Sequence, residues 1–188
     1  MKRQELEHIV RAAAGITGED EFVIIGSQSI LGKHPDAPRT LRMSMEVDIY
    51  PRLRPELADL ITGSIGEYST FHETFRYYAD GVAPDTAKLP TGWEDRLIRF
   101  SNENTKGAIA CCLDPLDLAY SKLAAGREKD LNFVVELCRA HFIKSPALVS
   151  LIAQTSDVKL REAMTGRWTV VQARKIGTGP NGAKNAPD

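Results

Sequence analysis

Two short β-rich runs, separated by a glycine-serine break, set the frame into which the rest of this chain must fit. Glu21-Phe-Val-Ile-Ile25 is apolar after its first residue and stops on Gly26-Ser27, the pattern of a buried strand ended by a turn. Met43 to Tyr50 alternates instead, with Met45, Val47 and Ile49 on one face and Glu46, Asp48 and Tyr50 on the other, until Pro51 stops it. Between the two, Gln28 to Leu31 can begin a short helix, and His34-Pro-Asp-Ala-Pro38 is a loop.

Around this frame the pattern predicts a mixed α/β (α+β) fold, a sheet of four or five strands with flanking helices. Leu6, Ile9, Val10 and Ala13 recur at helical spacing over residues 5–14, and Gly15 to Asp20 breaks that helix. Pro55 suits the first turn of a helix carrying Leu57, Leu60 and Ile61. The aromatic stretch Thr70–Tyr78 reads as a third strand, Asp80-Gly81 as a turn, and Arg96–Phe100 and Ala108–Leu113 as two further strands. From Asp114 onward the reading is helical: Asp114-Pro115 supplies a cap followed by proline, then Leu116, Ala119, Tyr120 and Leu123 form a stripe. After Gly126, Leu131, Val134, Val135 and Cys138 resume it. Ser145-Pro146 starts another helix, and residues 157–175 add one or two more. The expected division is an α/β core at 1–113, a helical subdomain at 114–176 and a disordered tail at 177–188.

Composition narrows the function classes. The net charge of −1 excludes a polycation that coats nucleic acid, so any such contact needs a local patch. Arg39, Arg42, Arg52 and Arg54 offer one, either as phosphate clamps or as charge balance for Glu46, Asp48 and Glu56. No apolar run approaches the roughly 20 residues that span a bilayer, and the charged start MKRQELEHIV lacks the apolar stretch of a signal peptide. A cytoplasmic protein without a membrane partner is therefore expected. Its three cysteines, Cys111, Cys112 and Cys138, read as reduced thiols. The four histidines lack ligand spacing with them, which argues against zinc.

Carboxylates at i and i+2 of one strand have Cα atoms about 6.5 to 7 Å apart, close enough for Glu46 and Asp48 to share a divalent cation. Magnesium suits such a pair, since it takes few protein oxygens and keeps places for water and phosphate. A Gly-Ser turn adds backbone N–H groups and a hydroxyl that can hold phosphate at a helix start. Singly, each feature has an ordinary explanation: a strand's wet face, or a glycine that merely ends a strand. Their combination describes metal-assisted phosphoryl or nucleotidyl transfer.

Phe22-Val-Ile-Ile-Gly-Ser27 followed by Met45-Glu-Val-Asp-Ile-Tyr50 resembles the Gly-Ser … Asp-x-Asp signature of the DNA polymerase β nucleotidyltransferase superfamily. The run Asp114-Pro-Leu-Asp-Leu-Ala-Tyr-Ser-Lys122-Leu-Ala-Ala-Gly-Arg-Glu-Lys-Asp130 is similar to the Lys … Arg-x-Lys-Asp helix pair of bacterial nucleotidyltransferase-like proteins. These include the toxin halves of abortive-infection and related toxin–antitoxin pairs. Leu89-Pro-Thr-Gly-Trp-Glu-Asp-Arg96 resembles a loop of the same group. The resemblance implies that Gly26 and Ser27 hold a nucleoside triphosphate, with Lys122 on its phosphates, and that Glu46 and Asp48 bind Mg2+ or Mn2+; Arg42, from the basic patch, is a further candidate for nucleotide binding. Asp130 would complete the site, either as a metal-side acid or by orienting Lys122. For the third carboxylate that many members carry, Glu73 and Asp80 are the candidates. The implied activity moves a nucleoside monophosphate to a hydroxyl of RNA, protein or a small molecule, in a toxin with a cognate antitoxin. The alternatives are a small-molecule phosphotransferase, or a nucleotide-binding or partner-binding module without catalysis.

Overall fold

The computed structural model describes residues 1–177, in which a five-stranded mixed sheet is flanked by helices. Helix α1 (Arg3–Thr17) buries Leu6, Ile9, Val10 and Ala13. Complete burial of a leucine, isoleucine or valine side chain is worth roughly 1.5–3 kcal/mol, and of the Ala13 methyl under about 1 kcal/mol. The helix passes through Gly15 and stops at Gly18, so the break expected from Gly15 onward comes three residues later. Strand β1 (Glu21–Ile24) then leads through Gly26 and a single 3-10 turn (Ser27–Ser29) into the one-turn helix α2 (Ile30–Lys33).

Strand β2 (Glu46–Pro51) pairs antiparallel with β1. Its alternation is as the sequence indicates, except that Met45 precedes the strand and is exposed. Pro55–Leu57 forms a 3-10 turn before helix α3 (Ala58–Ile65), which buries Ile61 and leaves Leu60 exposed.

Residues 70–78 do not form a strand. Ser69 caps helix α4 (Thr70–Phe75) by accepting from the His72 N–H at 3.2 Å, a local bond that outweighs the β preference of the aromatic residues. Those rings gather as a half-exposed cluster on α1, with His8 against Phe71, Phe75 and Tyr77. The third strand is β3 (Tyr78–Gly81), so Asp80-Gly81 is strand and not turn. Parallel pairing with β2 holds it there, with Glu46 beside Tyr78 and Asp48 beside Asp80.

Strand β4 (Ile98–Phe100) begins two residues later than expected, because Trp93–Arg96 is a 3-10 turn. Arg96 there grips the fully buried Asp117 with two short bonds of 2.7 and 2.9 Å, fastening the Leu89–Arg96 loop to the helix that follows the sheet. Strand β5 (Ile109–Cys112) runs parallel to β1 and completes the order β3-β2-β1-β5-β4.

Helices α5 (Pro115–Ala125), α6 (Glu128–Arg139), α7 (Ser145–Ala153) and α8 (Val158–Gly177) follow. The Asp114 carboxylate caps α5 through the Leu116 N–H at 2.9 Å. Leu131, Val134, Val135 and Cys138 are buried on α6, and Trp168 is buried on α8. A single α8 covers the stretch where one or two helices were expected. Apart from Gly177, the tail expected at 177–188 lies outside the described residues. Among the described residues the three cysteines are free and buried, and no helix is long and apolar enough to cross a membrane.

Candidate active site

The site forms where β1 ends and β2 begins. Gly26 allows it locally: a Cβ there would lie 1.6 Å from the Asp48 Oδ2, so any side chain would displace that carboxylate. Ser27 follows at the rim of a cavity of about 540 Å3, which Glu46, Asp48, Lys122, Arg127 and Asp130 also line. The helix expected after the turn is only α2, one turn long, so the loop offers the hydroxyl and backbone N–H groups of Gly26-Ser27 and little macrodipole.

On the strand side, Glu46, Asp48 and Asp80 each bring one carboxylate oxygen within 4.8 Å of the others. Asp80 is the third carboxylate, and Glu73, on α4, is not in the cluster. Thr62 of α3 orients it, donating to Asp80 Oδ1 at 3.1 Å and accepting from the Gly81 N–H at 2.7 Å. Gly81 lets α3 come this close, since a Cβ there would meet the Ala58 carbonyl oxygen at 1.9 Å.

Burial raises the Glu46 carboxyl above its ordinary value, and the neighbouring charges of Asp48 and Asp80 add to the effect against Lys129. Burial likewise raises Asp48, helped by Asp80 and opposed by Lys122. Tyr78, hydrogen-bonded to Glu46, is pushed up to about 12 by burial and the surrounding carboxylates, so it stays a protonated donor. Three crowded carboxylates form a hard, all-oxygen donor set, which suits a hard divalent cation such as Mg2+ or Mn2+.

The facing wall is the α5–α6 junction. Asp130, 1% exposed, receives the Lys122 ammonium at 3.3 Å on one oxygen and the Arg127 Nε at 2.6 Å on the other. It also caps α6 by accepting from the Arg127 N–H. Burial works to raise the Asp130 carboxyl, but the Arg127 hydrogen bond and the Lys122 charge outweigh it and hold the group below its ordinary value. Of its two expected roles, the geometry places Asp130 on Lys122 and outside the carboxylate cluster.

Six of the seven residues singled out in the sequence thus gather at one cavity or its edge: Gly26, Ser27, Glu46, Asp48, Lys122 and Asp130. Arg42 stands apart, its guanidinium bonded to the Ala37 carbonyl, and it does not line the cavity. The expected arginine patch disperses too. Arg54 pairs with Glu56 at 3.0 Å, as the charge-balance reading expects, whereas Arg52 pairs at 3.0 Å with Glu21, an acid outside that reading. The positive charge at the cavity comes from Lys122, Arg127 and Lys129. Arg127 lay within the quoted helix-pair motif without a role, and the capping position of that motif was its one sequence signal.

Residues 4–174 match the model of a family described as "Nucleotidyltransferase of unknown function (DUF6036)". No curated protein and no solved structure matches the chain.

Proposed function

The chain belongs to this family of nucleotidyltransferases, and from that premise we propose that it transfers a nucleoside monophosphate from a nucleoside triphosphate to an acceptor hydroxyl, with Mg2+ or Mn2+. The observation that carries this reading is the meeting of Glu46, Asp48 and Asp80 beside Gly26-Ser27, across one cavity from Lys122.

Glu46, Asp48 and Asp80 would hold the divalent ion, which when bound neutralises phosphate charge and makes the acceptor hydroxyl easier to deprotonate. Ser27 and the backbone N–H groups beside it bind the phosphates, and Lys122 directs its ammonium at them from the opposite wall. Asp130 fixes the direction of Lys122, so that little rearrangement is needed at the moment of reaction. In the transfer the acceptor oxygen bonds to the α-phosphorus, the bond to pyrophosphate breaks, and the acceptor proton leaves through the carboxylate cluster. The resemblance to abortive-infection toxins makes RNA the first acceptor to try and an antitoxin the first partner.

The test is incubation with each labelled nucleoside triphosphate and total RNA in Mg2+ or Mn2+. Label should pass to RNA with the native chain and not with Asp48→Asn. Undiminished transfer by that variant refutes the assignment. Metal-dependent triphosphate binding with no turnover on any acceptor would favour the binding module.

A further inference from the structure

A second hollow opens behind the first. It measures about 140 Å3, and Gly26, Asp48, Lys88, Ser121, Lys122 and Arg127 line it. Asp48, Lys122 and Arg127 line both spaces, so the two adjoin at the carboxylate cluster.

Their charges differ. In the larger cavity three cations (Lys122, Arg127, Lys129) face four carboxylates (Glu46, Asp48, Asp130, Glu136), and Leu41, Met43 and Phe133 add apolar wall. In the smaller hollow three cations (Lys88, Lys122, Arg127) face the single carboxylate Asp48. Lys122 and Arg127 already share Asp130, whereas Lys88 makes no ion pair among the described residues. The hollow has room for about five waters at ~30 Å3 each, the scale of a diphosphate. It is well below the roughly 300 Å3 at which pockets begin to enclose small organic ligands.

We infer that the small hollow binds the β- and γ-phosphates of the nucleotide, and then the pyrophosphate released, with Lys88 as a binding residue. The larger cavity takes the nucleoside against Leu41, Met43 and Phe133. An ammonium lacking a carboxylate partner loses no existing pair when phosphate arrives, so Lys88 contributes more per contact than Lys122 does. This inference rests on the transferase reading and adds a residue to it.

The experiment titrates inorganic pyrophosphate, each nucleoside triphosphate and each nucleoside monophosphate, with Mg2+, into the full chain and into Lys88→Glu. Lys88 is an exposed loop residue, so the variant should keep the native melting temperature. Pyrophosphate should compete with triphosphate on the native chain. In Lys88→Glu both should weaken by about tenfold or more, with monophosphate affinity unchanged, since a hydrogen bond to a charged group is worth that much. Equal pyrophosphate affinity in the two proteins, with triphosphate still bound, overturns the role of Lys88 and leaves the transferase reading standing. A native chain that binds neither pyrophosphate nor any triphosphate overturns both.

Discussion

The two walls of the cavity handle charge in opposite ways. On the strand wall, β2 and β3 bring three carboxylates together, and burial and mutual repulsion raise Glu46 and Asp48 above their ordinary values. On the helix wall, a carboxylate buried more deeply is held below its ordinary value, because Arg127 and Lys122 sit directly on it. On the helix wall the buried carboxylate is fully paired, so Asp130 belongs to the fold while the wall keeps a surplus of positive charge. The strand wall is strained by like charge, which a divalent cation would relieve. Among clustered carboxylates, the ones without partners of their own sign-opposite kind are the better guide to a ligand.

If that contrast holds, Asp48→Asn should lower transfer by about a thousand-fold, a loss of ~4 kcal/mol of transition-state stabilisation, while leaving the metal-free melting temperature level or higher. A large drop in melting temperature would show that Asp48 belongs to the fold as Asp130 does. Asp130→Ala should do the reverse, costing about 2–3 kcal/mol in denaturant unfolding and exposing Lys122 to drift. The figure lies below the roughly 3–5 kcal/mol of a fully buried pair because the Arg127 side chain is 60% exposed. A variant as stable as the native chain would break the contrast from the other side. Thr62→Val should weaken Mn2+ binding by about tenfold, the usual cost of losing a group that orients a metal ligand, with little change in melting. Thr62→Ser, which keeps the hydroxyl, should restore it.

The smallest effect is one of pH. Glu46 and Asp48 are raised in the folded chain, so their contribution to stability is complete below their ordinary values of 4.5 and 3.8 and is lost as pH rises through the raised ones. Asp130 is depressed, so its contribution is present above 3.8 and is lost as pH falls through its lower value. Melting curves of the metal-free chain across the carboxylate range should therefore show a smaller high-pH decline in Asp48→Asn, with the Glu46 part remaining, and a smaller low-pH decline in Asp130→Ala. Added Mg2+ should stabilise the native chain more as pH rises. Metal stabilisation independent of pH would count against the carboxylate cluster.

Much of this site was legible because its parts are local. The Gly26-Ser27 stop, the alternation that pairs Glu46 with Asp48, and the Asp114 cap before Lys122 are each set by a few neighbouring residues. Asp80 was named only as one of two candidates, since a strand of four residues after an aromatic stretch gives weak periodicity, and Asp-Gly usually signals a turn. What makes it strand is the hydrogen-bonded edge that β2 provides. The four arginines look like one patch along the chain, but Arg52 and Arg54 pair with Glu21 and Glu56 once folded, and Arg42 turns to a backbone carbonyl. Charge proximity in sequence does not fix where long, flexible side chains end.

By itself the sequence determined the mixed α/β class, most helices and strands, and the acid pair beside a glycine, because propensity, alternation and capping act within a turn or two of chain. Only the tertiary structure decided which charges meet: Asp80 beside Asp48 across a parallel pairing, Lys122 and Arg127 on Asp130, and Lys88 at the edge of a second hollow. Those meetings join residues 30 or more positions apart, or set the direction of a flexible side chain, and both are settled by packing.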